Sequence, residues 1–337
     1  MVTVLYIGGL GRSGSTLVER LAGQLPGACA VGEIVHLWQR GVTEDERCGC
    51  GTAFAQCSFW QQAGKTAFGG WDEIDPGRVA ALRARVDRNR FVPRLAARPA
   101  GTVPTGTGPT GTGPTGTGPT GTGLAGTGPA GTGPPSALAE YMSYYTRLYA
   151  AVAEVSGARL VIDSSKHPSL AHCLRRQGGV DLRVLHLVRD SRAVAYSWGR
   201  AVRRPDTDRQ SYMTRYSPAV AAAQWNGQNA AFHLLRGVPV MRLRYEDVVA
   251  APEAAVRRIA AFSGLPAPGR LAFLGAGWAE LEPGHSVSGN PMRFATGKIA
   301  IRPDERWRAD LPAGPRREVT ALTSPLLAAY GYLGSRR

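Results

Sequence analysis

The chain contains very little lysine and lacks long apolar runs. Of its 40 Lys and Arg residues, only Lys65, Lys166 and Lys298 are lysines. No apolar run approaches the roughly 18 residues that a membrane-spanning helix needs. The apolar residues 2–7 carry neither the preceding basic stretch nor the following cleavage site of a secretion signal. The sequence therefore predicts no transmembrane segment and a cytoplasmic location.

Cysteine is also scarce, and its number is odd. The five cysteines are Cys29, Cys48, Cys50, Cys57 and Cys173. An odd number without a secretion signal argues against a full disulfide framework. The closely spaced Cys48, Cys50 and Cys57 are one ligand short of a structural zinc site unless Cys29 or His36 joins them, and a disulfide is a further alternative. We therefore predict no metal site.

The 337 residues carry a net charge of +15. A basic surface suits nucleic acid, an anionic membrane or a small anion. Abundant Ala, Gly, Pro and Arg instead indicate a high-GC coding bias as the main source of this charge, so no specific nucleic-acid partner is predicted. The length suffices for one large α/β domain with a sizeable core.

Residues 101–135 interrupt the chain with a GPTGT repeat of period five. Such a segment has almost nothing apolar to bury, so it is expected to be disordered. Collagen needs Gly at every third position, which excludes it here. Because motifs on both sides of the repeat are expected to build one site, we predict a single domain over residues 1–337 with an insertion.

Strand and helix patterns alternate on both sides of the insertion. The predicted strands are Val2–Ile7, Ala28–Ile34, Arg159–Ile162, Leu182–Val188 and Val238–Leu243. The predicted helices are Leu17–Leu25, Ala137–Ser156, Pro168–Arg176, Ser191–Val202, Pro218–Leu235 and Ala251–Ser263, while 44–60 is loop-rich and 74–97 mostly helical. This alternation predicts an α/β fold of three layers, with a central parallel sheet flanked by helices. Ligands bind beyond the carboxyl ends of such strands.

The segment GLGRSGST at residues 9–16 follows a strand and opens a helix. Glycines let the backbone approach an anion, and the free N–H groups of the helix start point toward it. The spacing is that of a nucleotide P-loop, except that Ser15 stands where the lysine belongs. Arg12 supplies a guanidinium for the anion instead. A simple Gly/Ser turn before a helix is the alternative.

A second anion site is indicated by LHLVRDSRAVAYSW at residues 185–198. Arg189 comes just after a buried strand, and Ser197 lies eight residues later on the next helix. A guanidinium and a hydroxyl so placed could clamp a second phosphate. The alternative is a helix capped by Asp190 or Ser191 with a solvated Arg192.

Together these two motifs resemble the paired donor-binding motifs of the sulfotransferase family that uses the donor PAPS (3′-phosphoadenosine 5′-phosphosulfate). The resemblance, which extends to residues 245–266, implies a P-loop NTPase-like fold and no required metal. It also implies that the first loop holds the 5′-phosphosulfate and that Arg189 and Ser197 hold the 3′-phosphate. The first-loop residues are Arg12, Ser13, Gly14, Ser15 and Thr16.

A late Arg- and Gly-rich stretch, residues 285–308, partly resembles the loop with which this family closes the donor site. The counterpart runs from Arg293 through Gly297 and Lys298, with Arg302 and Trp307 beyond. Ala295 and Thr296 stand where basic residues are common, so the side chain that meets the 3′-phosphate stays open. A solvated basic tail is the alternative.

The reacting centre is expected to contain a base and a cation. Glu33, in VGEIV, resembles the base of tyrosylprotein and carbohydrate sulfotransferases, and Lys166, in DSSKHP, resembles the lysine that the family places against the bridging oxygen. Arg12 completes the predicted catalytic set. The competing bases are His36, His167 and His285.

The resemblance implies transfer of a sulfuryl group from PAPS to a hydroxyl acceptor, with release of PAP (3′-phosphoadenosine 5′-phosphate). A carbohydrate, a glycolipid, a natural product or a tyrosine all remain open as the acceptor, and the oligomeric state is not predicted. A P-loop kinase or NTPase is one alternative, weakened by the missing P-loop lysine. A non-enzymatic anion- or nucleic-acid-binding protein is the other.

Overall fold

The structure, a computed structural model, describes residues 1–97, 136–205 and 211–334. The predicted insertion at residues 101–135 lies outside the described residues. Within the described ranges, no helix combines the length and the apolar character that crossing a bilayer requires.

Five parallel strands form the central sheet, in the spatial order β2-β3-β1-β4-β7. They are β1 (Thr3–Gly8), β2 (Ala28–Gly32), β3 (Leu160–Lys166), β4 (Asp181–Val188) and β7 (Val240–Arg244). Two short strands, β5 (Arg203–Arg204) and β6 (Ser211–Tyr212), pair with each other, and β8 (Leu274–Gly275), β9 (Trp278–Leu281) and β10 (Gly297–Ala300) form a separate antiparallel sheet. The predicted parallel sheet is therefore confirmed.

Helices cover both faces of the central sheet. They are α1 (Ser15–Ala22), α2 (Ser58–Phe68), α3 (Pro76–Val86), α4 (Val92–Ala96), α5 (Ala137–Ser156), α6 (Pro168–Gln177), α7 (Ser191–Gly199), α8 (Pro218–His233), α9 (Tyr245–Ala250), α10 (Pro252–Phe262), α11 (Trp307–Asp310) and α12 (Ala313–Ala329). Residues 37–43 form a π-helical turn.

Alternation along β1 shows why the fold has three layers. Val4 and Tyr6 join the apolar core that contains residues of α2, α3, α5 and α6. Leu5 and Ile7 point to the opposite face and pack with residues of α1 and α10. Because successive strand residues face opposite sides, a wholly apolar strand needs a helical layer on each face. The predicted three-layer α/β fold is confirmed.

Some predicted boundaries were wrong. The third strand, predicted to end at Ile162, continues to Lys166, because Gly8 of β1 pairs with Lys166 across a register shift. Helix α7 ends at Gly199, short of the predicted Val202. Part of the stretch expected to be loop-rich is helical, since α2 starts at Ser58. The small β8–β10 sheet was missed, as strands of two to four residues carry no clear period.

A buried histidine links sheet and helix on the face covered by α8. The imidazole of His186 on β4 lies 2.8 Å from the amide oxygen of Asn229 and stacks on Phe232. Burial lowers the pKa of His186 to about 4, although the hydrogen bond with Asn229 acts in the opposite direction. The imidazole is therefore neutral in the folded protein at neutral pH.

We expect acidification to destabilise the fold partly through His186. In the unfolded chain the imidazole becomes protonated below about pH 6.5, whereas in the folded protein it becomes protonated only near pH 4. This difference in pKa lowers the free energy of unfolding by about 3 kcal/mol once the pH falls below about 4. Urea unfolding at neutral and acidic pH measures the loss. His186→Gln keeps a side-chain amide for Asn229 and should show a shallower loss. Identical pH dependence in both proteins would contradict the assignment.

Candidate active site

Polar side chains gather where four neighbouring strands of the sheet end. The loop 9–14 follows β1, Glu33 follows β2, Lys166 ends β3 and Arg189 follows β4. The backbone N–H of Gly9 donates to the carbonyl of Lys166 at 3.4 Å, so the first loop and the end of β3 are in contact. The carboxyl edge of the parallel sheet thus carries the predicted groups from both sides of the insertion.

The first loop is shaped for close backbone approach to an anion. Arg12 and Gly14 both adopt positive φ angles, 72° and 89°. Helix α1 begins at Ser15, and its start carries no side-chain cap. A Cβ on Gly14 would lie 2.2 Å from the ring of Tyr245, so only glycine fits between α1 and α9. The first-turn N–H groups of α1 therefore need an acceptor that no side-chain cap provides.

Arg12 brings a half-buried positive charge to this loop. Its Nε and Nη2 atoms are shielded from solvent and have no hydrogen-bond partner among the described residues. The guanidinium lies 5.2 Å from the ring centre of Trp198. Burial lowers the pKa of Arg12, and the nearby Glu33 carboxylate opposes this shift. Shielded N–H groups without hydrogen-bond partners are costly, so these two nitrogens suit an anionic ligand.

Arg189 is fixed directly beside the first loop. Its Nη1 donates to the carbonyl of Arg12 at 3.1 Å, and its Nη2 donates to a carboxylate oxygen of Asp304 at 3.2 Å. The guanidinium also lies 4.6 Å from the ring centre of Tyr245. The two predicted arginines, 177 residues apart in the chain, therefore occupy one site.

Helix α7 brings Ser197 toward the same loop. The indole N–H of the next residue, Trp198, donates to the carbonyl of Gly11 at 3.0 Å. Ser197 itself is half-buried. Trp198 fixes the end of α7 against the loop, and the contact of Ser197 with a phosphate stays a prediction.

Glu33 and Lys166 form an ion pair beside the loop. Lys166 Nζ contacts Glu33 Oε1, and both side chains are mostly buried, 11% and 13% exposed. Lys166 adopts a positive φ of 69°, which aims its side chain away from the regular strand direction. A Cβ on Gly289 would lie 2.8 Å from Glu33 Oε1, so the late segment closes over this carboxylate.

The three competing histidines have different surroundings. His36 Nε2 lies 3.6 Å from Glu33 Oε2, and its ring meets that of His167 edge to face. Burial lowers the pKa of His167 to about 3 and holds that of His36 well below its usual range. His285 contacts Cys48 and Cys57 instead. The fourth group beside the three clustered cysteines is thus His285, and the sequence alternatives Cys29 and His36 were wrong.

The late basic residues lie apart from one another. Arg293 is 1% exposed, and its Nη1 donates to the carbonyl of Ser286 at 2.9 Å. Gly297 and Lys298 belong to β10, where Lys298 Nζ lies 4.0 Å from the ring centre of Trp278. Arg302 is exposed. The late residue that contacts Arg189 is Asp304, so the binding of the 3′-phosphate by residues 293–302 stays a prediction.

Sequence reasoning missed three residues of this site: Tyr245, Trp198 and Asp304. Tyr245 packs on Gly14 and under Arg189. An aromatic residue directly after a strand end was a signal for it, since such positions face the ligand edge of the sheet. Trp198 directly follows Ser197, which the sequence did identify. Asp304 carried no local signal, because its role depends on a contact 115 residues away in the chain.

Comparison with solved structures returns proteins of similar length. The sulfotransferase domain from the Synechococcus PCC 7002 olefin synthase matches with 19% identity and a TM-score of 0.45, over 96% of this chain and 94% of that chain. The sulfotransferase domain from the curacin biosynthetic pathway matches with 15% identity and a TM-score of 0.46, over 96% and 97% of the two chains. No curated protein matches the chain.

A family model provides the sequence-level comparison. The model described as the sulfotransferase family matches residues 136–269. This range contains Lys166, Arg189 and Ser197, whereas the first loop and Glu33 lie before it. The family match therefore supports the resemblance for residues 136–269, which contain the second anion motif, and it does not reach the first.

Proposed function

We propose that this protein transfers a sulfuryl group from PAPS to a hydroxyl acceptor and releases PAP. The match to the sulfotransferase family supports sulfuryl transfer. The observation that carries the choice of an anionic donor is Arg12, whose Nε and Nη2 atoms are shielded from solvent and have no hydrogen-bond partner among the described residues. This guanidinium and the uncapped start of α1 belong to one loop, and together they suit a phosphosulfate.

Arg189 and Ser197 are the proposed ligands of the second phosphate of the donor. Arg189 already donates to Arg12 and Asp304, and Tyr245 packs under its guanidinium. These contacts fix the guanidinium in place, which lowers the entropy cost of binding a phosphate. The carboxylate of Asp304 already accepts a hydrogen bond from this arginine. A 3′-phosphate would therefore share the guanidinium with Asp304 or displace its carboxylate.

The reaction breaks the bond between sulfur and the bridging oxygen of the donor and forms a bond between sulfur and the acceptor oxygen. The acceptor hydroxyl loses a proton, which Glu33 would take. The departing phosphate of PAP gains negative charge, which Lys166 and Arg12 would offset. The ion pair of Lys166 with Glu33 supports these roles, because it brings a carboxylate and an ammonium group into contact.

Glu33 suits the role of base better than the histidines. Burial lowers the pKa of His167 to about 3, which makes its imidazole a weak proton acceptor near neutral pH. The pKa of His36 is also lowered, mainly by burial. His36 lies 3.6 Å from Glu33 and is better placed to orient the carboxylate than to replace it.

The acceptor is a hydroxyl-bearing carbohydrate, glycolipid, natural product or tyrosine, and no metal is required for the transfer step. The reaction would take place in the cytoplasm. A P-loop kinase is less well supported, because Ser15 stands where such enzymes place the lysine that binds the γ-phosphate.

We expect metal-independent binding of PAP that depends on both arginines. Arg12→Ala and Arg189→Ala each remove a charged hydrogen-bonding group worth about 1.5–3 kcal/mol, so PAP should bind roughly 10- to 100-fold more weakly. Arg258→Ala, an exposed position on α10, is the matched control and should bind normally. Calorimetric titration with PAP, ATP and ADP, with and without Mg²⁺, is the measurement. Mg²⁺-dependent ATP binding without PAP binding would exclude the proposal.

Glu33→Gln should leave donor binding intact and slow the chemical step. Loss of a general base lowers the rate by about 10²- to 10⁴-fold. PAP formation from PAPS can be followed chromatographically with a phenol, a monosaccharide and a tyrosine peptide as acceptors. Glu318→Gln, an exposed position on α12, is the control. Unchanged turnover in Glu33→Gln would contradict the assignment of Glu33 as the base, and His36 would be the next residue to test.

A further inference from the structure

Three closely spaced cysteines and a histidine 228 residues after Cys57 form a compact group. One ligand atom from each of Cys48, Cys50, Cys57 and His285 lies within 4.8 Å of every other. Cys57 Sγ lies 3.6 Å from Cys48 Sγ and 3.8 Å from Cys50 Sγ. The Nδ1 atom of His285 lies 3.7 Å from Cys48 Sγ and 3.3 Å from Cys57 Sγ.

These separations match the edges of a zinc tetrahedron. Zn²⁺ bound at about 2.3 Å to sulfur and about 2.0 Å to nitrogen holds neighbouring sulfurs roughly 3.8 Å apart and sulfur and nitrogen roughly 3.6 Å apart. A disulfide would need sulfurs about 2.0 Å apart. All the cysteines of the group are free thiols here. The geometry therefore suits a shared metal rather than a crosslink.

The backbone around the cysteines is arranged as a tight turn that aims sulfurs at one point. The Cys48 N–H donates to the carbonyl of Thr52 at 2.8 Å, and the Gly51 N–H donates back to the carbonyl of Cys48 at 2.8 Å. Gly51 adopts a φ of 93°, which this turn requires and glycine tolerates. The backbone N–H groups of Cys50 and Trp60 hydrogen-bond to the sulfurs of Cys48 and Cys57.

His285 is held in place by separate contacts. Its ring stacks on Phe59, with ring centres 4.6 Å apart and planes 11° apart. Its carbonyl accepts the indole N–H of Trp60 at 2.9 Å. Cys48 and Cys57 are 0% and 2% exposed, so the group lies mostly inside the protein. The position of His285 is thus fixed by Phe59 and Trp60 as well as by the cysteines, which indicates a preformed ligand set.

We propose that Cys48, Cys50, Cys57 and His285 bind one structural Zn²⁺. Four protein ligands leave no open position for a substrate or a water, so the ion stabilises structure and takes no part in sulfuryl transfer. This inference revises the prediction of no metal site. It stands on the ligand geometry alone and is independent of the proposed function.

The ion would fasten the cysteine loop to the segment that holds Glu33. The Gly49 N–H donates to the carbonyl of Ser286 at 3.0 Å, next to the ligand His285. One residue later, the carbonyl of Val287 accepts the N–H of Glu33 at 2.8 Å. The metal therefore lies at the start of the segment that sets the backbone position of the proposed base.

Metal analysis of the full-length protein, purified under reducing conditions from zinc-supplemented cells, is the first test. We expect about one zinc per chain. After chelator treatment, titration with Co²⁺ should give the intense visible bands of tetrahedral cobalt and a sulfur-to-cobalt charge-transfer band in the near ultraviolet. Absence of zinc together with absence of the tetrahedral cobalt spectrum would overturn the proposal.

Variants then assign the ligands. Cys50→Ala and His285→Ala should each reduce bound zinc at least tenfold after dialysis against a weak chelator, while Cys29→Ala, a half-buried cysteine outside the group, should retain it. If the ligand variants fail to fold by circular dichroism, the cobalt spectrum of the wild-type chain decides. Equal loss in Cys29→Ala would refute the assignment. So would a Cys50–Cys57 disulfide found by non-reducing peptide mapping of the protein as purified, before any chelator treatment.

Discussion

Parallel pairing of β1 with β3 on one side and β4 on the other is the constraint on which the candidate site depends. It sets Gly8 opposite both Lys166 and His186, so the chain leaves β1 level with the ends of its two neighbours. A loop that starts there lies directly beside the lysine of β3 and the arginine that follows β4. Because of this register, the backbone N–H of Gly9 can donate a hydrogen bond to the carbonyl of Lys166.

The three cationic side chains at the carboxyl edge of the sheet differ in whether they have an acidic partner. Lys166 is paired with Glu33 and Arg189 with Asp304, whereas the buried Nε and Nη2 of Arg12 have no hydrogen-bond partner among the described residues. Shielding these two N–H groups from water without a hydrogen-bond partner costs stability that the rest of the fold must supply. An anionic substrate would supply the missing partner, so the same arrangement that weakens the free protein favours binding.

The sequence predicted the parts of the fold and of the site that have local signals. A wholly apolar strand, a glycine-rich turn and a helix start are read from adjacent residues, and these identified the sheet, the loop at Arg12 and the position of Arg189. The partners that the sequence did not reveal come from distant segments. Asp304 reaches Arg189, and His285 reaches Cys57 across 228 residues. Such pairs are set by tertiary packing, which leaves no periodic pattern in one chain.

The segment around Val287 also covers part of the border of the central sheet. Strand β2 is the outermost strand on its side, and exposed backbone at such a position is a template for pairing with another chain. Val287 forms a parallel bridge with Gly32, donating to Val31 and accepting from Glu33. The polypeptide that covers the proposed base thus also occupies backbone groups through which edge-to-edge aggregation would begin.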